Sequence, residues 1–67
     1  MIALKVNGKP RELEKPVGLL HFLVSYGVNP QQIAVGYNGE VLDRDKFAEV
    51  VLTEGDVLEI VKPVGGG

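Results

Sequence analysis

The residues with the most chemical promise in this chain are those with the least side chain. Val64-Gly65-Gly66-Gly67 follows shortly after an apolar stretch, Val57-Leu58-Glu59-Ile60-Val61, that reads as a closing β-strand. Read as a free terminus, Gly67 presents a carboxylate with nothing crowding its carbonyl carbon. Glycine loses more conformational freedom on ordering than any other residue, so a run of three packs poorly but reaches backbone angles closed to other residues. Such a run suits insertion into a narrow active site on another protein, with Gly65 and Gly66 threading the channel. From Pro63 to Gly67 an extended chain spans roughly 16 Å at about 3.3 Å per residue. Residues 63–67 are therefore expected to form a flexible tail that serves as substrate, and residues 1–62 the folded handle that presents it. A competing reading makes the tail frayed or left over from cloning, and the rest of the chain must decide between the two.

Other groups offer little chemistry. The chain has no cysteine, which removes disulfides, thiolate nucleophiles, zinc-thiolate sites and a persulfide carried on a side chain. Any sulfur chemistry would have to occur on the carboxylate. His21, the single histidine, falls beside Ser25 near the polar edge of an expected helix, with no carboxylate or hydroxyl spaced to make it a nucleophile's base. No metal-ligand cluster is legible, and no bound cofactor is expected.

Length and charge bound the function further. A 67-residue chain builds one core and no deep cleft, which argues against a composite catalytic site. Seven Lys and Arg against nine Asp and Glu give a net charge of −2, and the charges are scattered with no basic stripe to follow a phosphate backbone. Nucleic acid is not expected as a partner. The Met1 to Asn7 stretch lacks the layout of a signal peptide, and no apolar run approaches the ~18 residues of a membrane span. A cytoplasmic, soluble protein with no membrane contact is expected. With 45% apolar residues the chain is too hydrophobic for ordinary disorder.

The elements that must position the tail can be read in order. Ile2, Leu4 and Val6 alternate with Ala3, Lys5 and Asn7, and Asn7-Gly8 is a strong hairpin signal leading into a second strand from about Lys9 to Glu14 with Leu13 inward. Pro16 is expected to open a helix that Gly27 closes. At about 100° per residue, Val17, Leu20, Leu23 and Val24 share one face, extended by Leu19 and Tyr26, while Phe22 falls further round and joins the exposed candidates. Ile33 to Tyr37 reads as a third strand, Asn38-Gly39 as a tight turn, and Val41-Leu42 as a short strand. Asp43 to Glu49 holds a brief helical turn anchored by Phe47, and Thr53-Glu54-Gly55-Asp56 makes the last turn before a final strand over residues 57–62. This order is an α+β pattern, a mixed sheet with one main helix across it. The first and last strands are both apolar enough to be central and would run parallel as neighbours. That arrangement is the β-grasp, or ubiquitin-like, fold.

Several motifs carry a resemblance that spans essentially the whole chain. Ala34-Val35-Gly36-Tyr37-Asn38-Gly39-Glu40-Val41-Leu42, then Arg44, Phe47, Leu52-Thr53-Glu54-Gly55-Asp56 and the Gly66-Gly67 end resemble, in order and in spacing, the small sulfur-carrier proteins of the ThiS and MoaD type. The thiamin carrier is the nearer match, because it is similarly short and commonly has Arg followed three residues later by Trp, which Arg44 and Phe47 approximate. Asp43 and Phe47 depart from the Pro and Trp common there, and Lys62-Pro63-Val64 is similar to the molybdopterin branch. Asn38, Arg44 and Gly55 are read as structural: Asn and Gly tolerate positive φ, and Arg44 can bond carbonyls or lie over Phe47.

The resemblance implies the chemistry. An E1-like adenylyltransferase of the ThiF type would use ATP and Mg to make an acyl-adenylate at Gly67. Sulfur originating from cysteine through a desulfurase would then displace AMP, leaving a thiocarboxylate that a thiazole synthase of the ThiG type would consume. ATP and magnesium would belong to the activating enzyme, and the chain itself would be a protein co-substrate and no enzyme. Strand alternation points Val57, Val61 and Pro63 outward, and these are the expected docking residues, with the Leu19, Phe22 and Tyr26 side of the helix as the other docking candidate. Alternative readings keep the tail chemistry but send the sulfur to molybdopterin or tRNA, or make the chain a ubiquitin-like modifier. A different class of reading is a β-grasp adaptor with an inert tail, and an enzyme subunit fares worst because no nucleophile and base are paired.

Overall fold

A computed structural model describes residues 1–62. The expectations for Pro63, Gly65, Gly66 and Gly67, and for the mobility of the tail, lie outside the described residues. In chain order the elements are β1 (Ile2–Val6), β2 (Lys9–Leu13), β3 (Val17–Gly18), α1 (Leu19–Tyr26), a 3-10 turn at Pro30–Gln32, β4 (Ala34–Tyr37), β5 (Glu40–Leu42), a 3-10 helix at Arg44–Glu49, β6 (Val51–Leu52) and β7 (Val57–Val61).

Five strands form a mixed sheet in the order β2-β1-β7-β4-β5. β1 and β7 run parallel with Lys5 opposite Val57 and Val6 opposite Leu58, and the remaining pairs are antiparallel. This is the β-grasp arrangement expected from the element order. Both Asn-Gly pairs make the two-residue turns their composition calls for. Asn7 and Gly8 have φ of 52° and 79°, Asn38 and Gly39 51° and 88°, the doubly left-handed backbone whose twist matches that of the strands it joins.

The helix differs from the expectation. Val17 and Gly18, assigned to its first turn, instead pair with Leu52 and Val51 as a small second sheet, and the Leu19 N–H donates to Val50 O at 2.9 Å. A β-branched residue followed by glycine favours extended chain over helix, and the β6 segment offers the hydrogen bonds that make extension cheap. Gly27 does cap the helix, at φ 96°, with its N–H donating to Val24 O at 3.1 Å and that of Val28 to Leu23 O at 3.2 Å.

The buried face of α1 is also rotated relative to the expected one. Leu19, Phe22 and Leu23 are buried with Tyr26 packed at their edge, whereas Leu20 and Val24 are 39% and 66% exposed. Phe22, expected among exposed residues, is only 4% exposed. Without Val17 the helix offers two apolar stripes, and the 19-22-23-26 stripe wins because it buries both aromatic rings. The guanidinium of Arg11, on the helix side of β2, lies 5.6 Å from the Phe22 ring centroid and 5.2 Å from that of Tyr26. The Leu19, Phe22 and Tyr26 side is therefore committed to packing within the fold.

Leu4, Val6, Val35 and Leu58 from the sheet, Leu19, Phe22 and Leu23 from α1, and Ile33, Phe47 and Leu52 from the connections close the core. Phe47 anchors its 3-10 helix as expected and is 2% exposed. Arg44 bonds carbonyls, as one of its two structural readings had it: Nε donates to Pro30 O at 3.1 Å and Nη2 to Ile33 O at 3.2 Å, tying the 3-10 helix to the loop after α1.

Candidate functional site

Residues 63–67 follow β7 in the sequence, so the supports of that strand define the site. β1 flanks it on one side through Leu58, and β4 on the other, with Tyr37 opposite Leu58 and Ala34 opposite Val61. The two Asn-Gly turns add a second set of ties. Asn38 Oδ1 accepts from the Val57 N–H at 2.8 Å, and Asn7 Oδ1 accepts from the Ile60 N–H at 2.7 Å, where β1 has already turned away. Each turn asparagine thus satisfies a backbone donor of β7 just past the end of the neighbouring strand on that side. Turn composition predicted the positive φ of these residues; the reach of their side chains across to β7 depends on strand order and was not legible.

One buried acid organises the start of β7. Asp56 is 7% exposed, and its carboxylate accepts from Tyr37 Oη at 2.7 Å, the Thr53 N–H at 2.9 Å and Asn38 Nδ2 at 3.2 Å. Removal from water alone would raise its pKa, but the bonds from Thr53, Tyr37 and Asn38 together outweigh that and hold it below the ordinary value. Tyr37 responds in the opposite direction: donation to the Asp56 carboxylate, then burial and the nearby negative charge, push its phenol up. Gly55, at φ 83°, makes the turn that aims Asp56 inward, and its N–H donates to Ala3 O at 2.8 Å. Asn38 and Gly55 therefore build the handle. Asp56 and Tyr37 were read only as parts of a motif, and what pairs them is β4–β7 register.

The expected docking residues Val57 and Val61 do point outward, 41% and 54% exposed, while Leu58 between them is buried. They do not stand alone. On β4, Ala34 stands opposite Val61 and Gly36 opposite the intervening Glu59, and beyond on β5 is Val41, 87% exposed. Together these residues line a shallow, largely apolar groove of about 270 Å³ on the face of the sheet away from α1. Alternation along each strand would have found the outward residues, but which of them become neighbours is set by pairing. His21 is exposed on α1. Among the described residues no helix is long and apolar enough to cross a membrane.

A mixed sheet clasping one helix, with an outward apolar strand leading into a glycine-ended segment, defines a ubiquitin-like β-grasp module. Residues 4–67 match the ThiS family, and the chain belongs to it. It is 37% identical over 65 residues to the sulfur carrier protein ThiS of Bacillus subtilis, the match taking in 96% of this chain and 98% of that protein. The crystal structure of the thiamine biosynthesis protein ThiS from Geobacter metallireducens superposes with a TM-score of 0.85 at 30% identity, covering 98% of this chain and 100% of that one. The chain is also 36% identical over 64 residues to a thiazole synthase of Magnetococcus marinus, of which it spans only 20%.

Proposed function

We propose that this chain is a sulfur carrier for thiamin biosynthesis, working through the carboxylate of Gly67. The observation that carries this reading is a family match running to Gly67 itself, joined to near-complete coverage of the Bacillus subtilis sulfur carrier. Because a carboxylate repels nucleophiles and its oxygen leaves badly, it must be activated before sulfur can add. An E1-like adenylating enzyme transfers AMP from MgATP to one carboxylate oxygen of Gly67 and releases pyrophosphate. The terminal sulfur of a persulfide, formed from cysteine by a desulfurase, adds to the carbonyl carbon and AMP departs with that oxygen; a thiol then cleaves the resulting acyl disulfide, becoming a disulfide itself and freeing the acyl sulfur. The product is a thiocarboxylate, the sulfur nucleophile for a thiazole synthase. A protein of that name containing a stretch similar to 96% of this chain supports the choice of recipient.

The chain supplies no catalytic group in this scheme, and ATP and magnesium are held by the activating enzyme. Its own residues present the tail. The Asn7, Asn38 and Asp56 bonds hold β7 in place, and the outward face with Val57 and Val61 docks the partner, with Pro63 next to it in sequence. Incubation with an adenylating enzyme, MgATP and a sulfur source should add about 16 Da as sulfur replaces oxygen, a difference set by atomic masses. A chain lacking Gly67 should fold but gain no such mass. Equal behaviour of the two chains, under conditions that thiolate a known carrier, would overturn the reading in favour of an adaptor with an inert tail.

A further inference from the structure

Glu59 is a charge set among apolar or missing side chains. It points outward from β7 between Val57 and Val61. Its cross-strand neighbour on β4 is Gly36, which has no side chain, and Gly36 in turn pairs with Val41 of β5. On the other side, the β1 pairing ends at Leu58, so no strand stands beside Glu59 there. The groove therefore has Gly36 as its floor, Val41, Val57 and Val61 as apolar walls, and Glu59 as the charged side chain on this face, Glu40 being opposite Tyr37 on the other face. A Cβ on Gly36 would lie 3.6 Å from Glu59 Cβ, so a side chain there would fill the groove without a clash. Among the described residues no lysine or arginine forms an ion pair with Glu59; the recorded pair, Lys46 with Glu49 at 3.9 Å, lies elsewhere.

This arrangement is selective about what covers it. A purely apolar partner surface would strip water from an unpaired carboxylate, at a cost that exceeds the gain from burying three valines. A surface that brings a cation to the same place replaces that water with charge-assisted hydrogen bonds. Arginine fits such a groove better than lysine, because its planar guanidinium is weakly hydrated and can lie along apolar walls while bonding a carboxylate through two donors.

We propose that this groove is the subsite for an arginine of the adenylating enzyme, its guanidinium pairing with Glu59 over Gly36. The proposal rests on the carrier reading, which supplies the partner. Val61, at the end of the groove, lies six residues before Gly67 in the sequence. An enzyme that acts on Gly67 therefore works close to this face.

The test is calorimetric titration of the full chain into the adenylating enzyme from the same genome, with circular dichroism to verify each variant. Glu59→Gln should weaken binding about tenfold and Glu59→Lys about a hundredfold, in the range expected for breaking or reversing a desolvated charge pair. Gly36→Val, which fills the floor and leaves the charge, should also weaken it about tenfold. Raising salt should weaken the native chain more than Glu59→Gln. Native-like binding by Glu59→Lys would overturn the subsite, as would a defect confined to thiazole synthase. Carbodiimide coupling of Glu59 to a lysine of the enzyme would overturn the arginine assignment. The 16 Da gain, followed on the same samples, separates the two levels: sulfur gain by the native chain with unaffected Glu59→Lys binding rejects the subsite alone. No gain by the native chain, where a known carrier is thiolated, rejects the carrier reading and the subsite with it.

Discussion

Asp56 and Tyr37 share one hydrogen bond that makes stability depend on pH at both ends of the scale. The folded Asp56 titrates below its ordinary value of 3.8, so its contribution is complete above that value and is lost as pH falls through the lower, folded one. The folded Tyr37 titrates above its ordinary 10.0, so its contribution is complete below 10.0 and is lost as pH rises through the higher, folded value. Between these limits stability should form a plateau. Tyr37→Phe removes the donor and leaves Asp56 with its bonds from Thr53 and Asn38. It should lower urea stability by about 1–2 kcal/mol at neutral pH, shrink the acid loss and abolish the part of the alkaline loss due to the phenol. Identical pH profiles for the two proteins would remove the pair from any role in stability. The same reasoning explains why Asn38 is more than a turn residue: its amide bonds the Asp56 carboxylate at one end and the Val57 N–H at the other.

At the scale of elements, α1 and β7 divide the labour. α1 turns its aromatic side into the core, so Phe22→Ala should cost about 3 kcal/mol or more in chemical denaturation, whereas Val24→Ala, on the exposed side, should change stability by less than about 0.5 kcal/mol. The reverse ranking would restore the face expected from periodicity alone. β7 faces both ways. Leu58 points into the core, and Val57 and Val61 point out beside the root of the tail. A charge on the outward side, Val61→Glu, should leave the circular dichroism spectrum native and weaken docking to the adenylating enzyme, because a charge buried at an interface without a partner is costly. Unchanged affinity of a folded Val61→Glu chain would move the docking surface off this face, to the exposed Leu20 and Val24 side of α1.

For the molecule as a whole, the decisive contact is the parallel pairing of β1 with β7, which brings the first and last strands of the folded region side by side in the sheet. The handle cannot form until most of the chain has been collected, and the strand that leads to the tail is also among the most enclosed. Native-state hydrogen exchange should therefore find the slowest amides in β1, β4 and β7 and faster ones in the short edge strand β5. Such an arrangement holds β7 rigidly from both sides. Fast exchange throughout β7 would contradict that picture.

Much of this was already legible in the residues. Strand alternation in Ile2 to Val6 and Val57 to Val61, the two Asn-Gly turns, the Gly27 cap and the Phe47 anchor are local consequences of side-chain period and backbone sterics, and they suffice for the order of α1 and the five main-sheet strands and for the β-grasp arrangement. The absence of cysteine and the glycine run to Gly67 are likewise properties of composition, and they direct attention to a carboxylate. What required tertiary structure was everything set by pairing between distant segments. Val17-Gly18 became a strand because Val51-Leu52 lay beside it, and α1 rolled to bury Phe22 because the core rewarded the larger apolar area. The Asn7 and Asn38 bonds to β7, the Asp56–Tyr37 pair and the groove around Gly36 and Glu59 depend on register. Shifting a strand by one residue exchanges its two faces, and no local pattern records which distant residue will stand opposite.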